Sequence, residues 1–87
     1  MIKVFIVDDS EIHLEGMKSI LKQADTIQIT AAARQPEEAR QILQKESFDL
    51  AIVDISLAEE ADGLDLAQFI KAHYPHLPVL ILSHYKN

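Results

Sequence analysis

A chain of 87 residues with 48% hydrophobic and 25% charged side chains has room for one domain, near the size below which a core needs a disulfide or a metal to hold it. It has no cysteine, which excludes a disulfide framework and a zinc-thiolate site and leaves oxygen or histidine as the ligands of any metal. A net charge of −6 excludes these residues as the part of a protein that grips a nucleic-acid backbone, and no apolar run approaches the roughly 18 residues of a membrane span.

The first predicted element is a strand at 4–7, continuously apolar and so expected to be covered on both faces. Asp8 and Asp9 follow it directly, and Ser10 or Asp9 can cap a helix whose apolar stripe is Leu14, Met17 and Leu21, with Ile20 alongside. Residues 27–31 alternate apolar and polar, the pattern of an edge strand. A second helix opens at Pro36 and presents Ala39, Ile42 and Leu43. The third strand, 50–53, is again continuously apolar and runs into Asp54. A third helix carries Leu66, Ala67 and Ile70 and is stopped by Pro75, after which a fourth apolar strand, 79–82, ends at Ser83.

Strands alternating with helices predict an α/β, doubly wound parallel sheet with right-handed crossovers. The edge character of the second strand gives the flavodoxin-like order 2-1-3-4, which makes strands one and three neighbours. In such a sheet the ligand crevice lies at the carboxyl ends of the strands, where strand order reverses. Asp8, Asp9 and Asp54 are therefore expected at one rim, with the Ser83 hydroxyl beside them. Three close carboxylates repel one another, and a hard divalent cation with oxygen ligands is the usual remedy; Mg2+ suits a chain without cysteine or paired histidines. One carboxylate could then attack phosphorus while the metal and the hydroxyl orient the phosphoryl oxygens.

Asp8-Asp9 after strand one, Asp54 ending strand three, Gly63 after a loop and Ser83 ending strand four resemble the receiver domain of bacterial two-component response regulators, over the whole chain. The stretches Val7-Asp8-Asp9-Ser10 and Val79-Leu80-Ile81-Leu82-Ser83 are similar to the NarL/LuxR-type branch, whose output is a helix-turn-helix DNA-binding domain. The resemblance implies that Asp54 is the phosphoacceptor and that Asp8, Asp9, Asp54 and the backbone carbonyl of Ser56 hold Mg2+. It also implies that Ser83 contacts the phosphoryl group. The implied partners are a sensor histidine kinase as donor and an output domain or partner regulator as reader, with no direct nucleic-acid contact from these residues, no membrane and a cytoplasmic location. The chain would be a switch with at most slow self-phosphorylation and dephosphorylation rather than a turnover enzyme.

By the same resemblance, residues 1–87 are the N-terminal part of a receiver domain, without the family's fifth strand, its lysine and the last helices. Strand four is then an exposed apolar edge, and self-association through it is expected. The loop from Ser56 to Asp62 is acidic, is one residue longer than the family pattern and has Ala58 where the family usually has proline.

Plainer readings stand beside these. Asp8 and Asp9 could simply cap a helix, and Asp54 could simply open a strand-to-helix loop. His13, His73, His76 and His84 share no metal-ligand spacing and read as solvated; His84 at the rim, and Lys86 in place of the family lysine, are lesser readings. Glu59 and Glu60 read as a solvated loop. The competing functions are a pseudo-receiver that binds partners without a phosphate cycle, and a magnesium-dependent phosphatase or nuclease. The latter lacks a second carboxylate two residues after the first, since Ser10 follows Asp8-Asp9, and with only Gly16 and Gly63 there is no phosphate-binding glycine loop.

Overall fold

Strands β1 (Ile2–Val7), β2 (Ile27–Ala33), β3 (Leu50–Asp54) and β4 (Val79–Leu82) alternate with helices α1 (Glu11–Leu21), α2 (Pro36–Lys45) and α3 (Glu60–His73) in a computed structural model that describes residues 1–54 and 60–82. The sheet is parallel throughout and ordered β2-β1-β3-β4, the doubly wound arrangement expected. Ser10 caps α1 through its side chain, which accepts from the His13 amide at 3.3 Å, and Pro36 occupies the first turn of α2.

Successive residues of β1 point to opposite faces and divide the core in two. Phe5 and Val7 pack with Ala39 and Leu43 of α2 and Leu66 and Ile70 of α3. Val4 and Ile6 pack with Leu14 of α1 and with Ile52. Each Val, Leu, Ile or Phe side chain among these, fully buried, contributes about 1.5–3 kcal/mol relative to exposure. Phe5 also stacks on Phe48, with centroids 4.8 Å apart.

Among the described residues the run 79–82 forms an outer strand, and the exposed apolar edge expected there is present: Leu80 is 48% exposed, and Ile81 and Leu82 are exposed as well. Three expectations are corrected. Ile20 is 68% exposed, because Leu14, Met17 and Leu21 take the sheet-facing stripe and Ile20 falls with Ile12 and Gly16 on the flank of α1. Helix α3 starts at Glu60, so part of the expected acidic loop is helical. Strand β2 runs two residues beyond Ala31, past a bulge: Val4 pairs with Ile29 and Phe5 with Ala31, leaving Thr30 as the extra residue.

Candidate functional site

Parity along the strands decides which acids meet. Ile6 and Ile52 pair across β1 and β3 and both face α1, so the residues two further on, Asp8 and Asp54, continue that face at the carboxyl ends of the two strands. Asp9 has the opposite parity. It is half-buried and lines a hollow with Arg34, Gln35, Glu37 and Glu38, and its backbone carbonyl accepts from Arg34 Nη2 at 3.2 Å.

Asp8 and Asp54 are 1% and 3% exposed. The Asp8 amide donates to the carbonyl of Ala33 at 3.0 Å, which fixes the turn after β1 against β2. Its Oδ1 accepts from the Ser10 amide at 2.9 Å, leaving Oδ2 toward Asp54 and α1. His13 Nδ1, on the first turn of α1, lies 3.4 Å from Asp8 Oδ2 and 3.8 Å from Asp54 Oδ2. Burial, above all, holds the Asp8 carboxyl above the ordinary carboxylate range; hydrogen bonding with Asp54 and the Asp54 charge add to this, and the Ser10 amide and His13 offset part of it.

One ligand atom from each of Asp8, His13 and Asp54 lies within 4.8 Å of the others, so the three could hold a metal ion. The donor chemistry fits a divalent cation: two buried carboxylates at neighbouring strand ends repel until a positive charge sits between them. The group opens into a hollow walled by Ile12, Gly16, Met17 and Ile20 of α1 and by Leu82 of β4.

The structure thus brings Asp8 and Asp54 together and places Asp9 on the neighbouring hollow. Ser83, the Ser56 carbonyl, His84, Lys86, Ala58 and Glu59 lie outside the described residues. His13 was read from sequence as a solvated histidine; it is exposed, but it stands against both acids. A signal was available: three residues after a capping Ser10, a side chain belongs to the first turn of α1, which starts at the same rim as the acids. His73 and His76 are exposed, as read, and line a hollow with Phe48, Tyr74 and Leu77; His73 stacks on Phe69.

Residues 4–87 match the response regulator receiver domain family. The chain belongs to that family. The receiver domain is 27% identical over 89 residues to the transcriptional regulatory protein ComA of Bacillus subtilis, covering 99% of the chain and 41% of ComA. It is 36% identical over 83 residues to the response regulator protein PilR of Pseudomonas aeruginosa, covering 95% of the chain and 18% of PilR. Among solved structures it superposes with a TM-score of 0.89 and 27% identity on RcsB from Salmonella enterica serovar Typhimurium, bound to promoter rprA in the presence of phosphomimetic BeF3-. That match covers all of this chain and 72% of the RcsB chain. ComA belongs with the NarL/LuxR-like regulators, the branch that the strand ends resemble. The receiver domain thus spans less than half the length of these two curated relatives. None of its helices, among the described residues, is long and apolar enough to cross a membrane.

Proposed function

We propose that this receiver domain accepts a phosphoryl group on Asp54 from the phosphohistidine of a sensor histidine kinase and passes the signal to a DNA-binding output domain. The observation that carries the reading is the buried Asp8–Asp54 pair at the carboxyl ends of adjacent strands. An Asp54 oxygen attacks phosphorus, the bond from phosphorus to the donor's imidazole nitrogen breaks, and an acyl phosphate forms. Asp8, Asp54 and the Ser56 carbonyl would hold Mg2+, joined by Asp9 on turning in from the neighbouring hollow, and the ion when bound would neutralise the phosphoryl oxygens. Ser83 would contact those oxygens, and the conformational equilibrium shifted by the acyl phosphate would be read by the partner. This chemistry takes place in the cytoplasm and makes the domain a switch.

The test is intact-mass measurement after incubation with Mg2+ and a small acyl-phosphate donor, beside an Asp54→Asn control. Gain of one phosphoryl group by the wild type alone is expected. Mg2+ binding without any gain would overturn the phosphoacceptor role and leave a pseudo-receiver. The exposed Leu80, Ile81 and Leu82 support a further part of the reading, pairing of two copies along β4. Light scattering should then show mass rising with concentration, and a constant monomer mass would remove it.

A further inference from the structure

His13 stands at the acid pair, and the phosphoacceptor chemistry gives it no task. Its imidazole is 43% exposed while the two carboxylates are buried, and all three side chains line the hollow beside α1. Ions of the zinc class sit about 2.0–2.2 Å from imidazole nitrogen and carboxylate oxygen, so two donors at a tetrahedral angle are about 3.4 Å apart. The His13 Nδ1 to Asp8 Oδ2 separation is 3.4 Å, and the 3.8 Å separation to Asp54 Oδ2 corresponds to a somewhat wider angle.

The local chain holds this geometry. The His13 amide donates to Ser10 Oγ, and the Ser10 amide donates to Asp8 Oδ1, so the turn that begins α1 couples the position of the imidazole to that of the carboxylate. Among the described residues, Asp8, His13 and Asp54 form a group able to ligate a metal, whereas Asp9 lines the neighbouring hollow. The donor set is one nitrogen and two oxygens. Magnesium prefers oxygen ligands in near-ideal octahedral geometry, whereas imidazole suits the later first-row divalent ions.

We propose that His13 Nδ1 is a metal ligand alongside Asp8 and Asp54, and that it tunes this site toward a borderline divalent ion of the Zn2+ or Co2+ class. The inference shares Asp8 and Asp54 with the receiver reading and rests on it only there. An imidazole serving merely as a neutralising neighbour would affect every divalent ion alike; a ligand affects the nitrogen-preferring ions selectively.

Calorimetric titration of the full chain with Zn2+ and, separately, with Mg2+ tests this in the wild type, His13→Asn and His13→Gln. Loss of a ligand should weaken Zn2+ binding about tenfold or more in both variants while leaving Mg2+ affinity within about twofold. In the 15N-histidine-labelled wild type, one equivalent of Zn2+ should shift the His13 Nδ1 resonance, which is assigned by its disappearance in His13→Asn. Equal Zn2+ affinity in wild type and variants, an equal loss for both ions, or a Zn2+ shift confined to other histidines would overturn the inference. Phosphoryl uptake with Mg2+ is read separately on the wild type. Its failure beside a His13-dependent Zn2+ site overturns the phosphoacceptor reading alone, and its success beside a His13-independent Zn2+ affinity overturns this inference alone.

Discussion

The two faces of the sheet draw on the same strands and are built differently. Among the described residues, the face under α2 and α3 holds nine packed buried residues, among them Phe5, Leu66 and Ile70, whereas the α1 face holds Val4, Ile6, Leu14 and Ile52. Strand parity puts Leu80 and Leu82 of β4 on the α1 side, in register with Ile52 and Asp54, and both are exposed. The two buried acids are on this thinner side. Among the described residues one helix, α1, packs on this face, and beside it lies the hollow into which Asp8, His13 and Asp54 open.

The contrast is tested most severely by truncating one core residue on each face. Phe5→Ala should cost about 3–5 kcal/mol of unfolding free energy and Leu14→Ala about 2–3, read from urea denaturation. Equal costs would mean that the α1 face is as well packed as its opposite. Next comes the buried acid. Because the folded state holds the Asp8 carboxyl above its ordinary value of 3.8, the folded chain binds more protons than the unfolded one between that value and the raised one. The metal-free domain should therefore lose stability as pH rises through that window, and Asp8→Asn should flatten the loss and raise the melting temperature at neutral pH. Thermal melts in chelator across a pH series give the answer; a slope of opposite sign in the wild type would remove the burial argument.

Smaller effects sharpen the contrast along α1 itself. A Cβ added at Gly16 meets nothing within 4 Å, so Gly16→Ala should stabilise by about 0.5–1 kcal/mol through helix propensity. Ile12 is exposed, and Ile12→Ala should change stability by no more than about 0.5 kcal/mol in either direction. A larger loss at Ile12 would show that the flank of α1 is covered in solution.

Strand order and helix positions were legible because the three apolar runs and the alternating edge strand carry their own periodicities, and Ser10, Pro36 and Pro75 punctuate them. The Asp8–Asp54 pairing was legible too, since residues ending neighbouring parallel strands must meet. Exposure on β4 was legible only through the family resemblance, because an apolar run states what a strand can bury, not which neighbour covers it. Ile20 was misplaced because one turn of helix offers adjacent apolar positions and only the sheet selects between them. His13 was missed for a different reason. Metal-ligand spacing was sought within the sequence, whereas this histidine meets its acids across a helix and two strands.

The contact between Ser10 and Asp8 has a spectroscopic consequence. The Ser10 amide proton points at the same carboxylate whose other oxygen faces Asp54 and His13. Its chemical shift should follow the electron density on that carboxylate, so one backbone resonance should register protonation, cation arrival and acyl-phosphate formation by distinct displacements. Occupancy of the pocket can thus be followed without a label at any residue that does the chemistry.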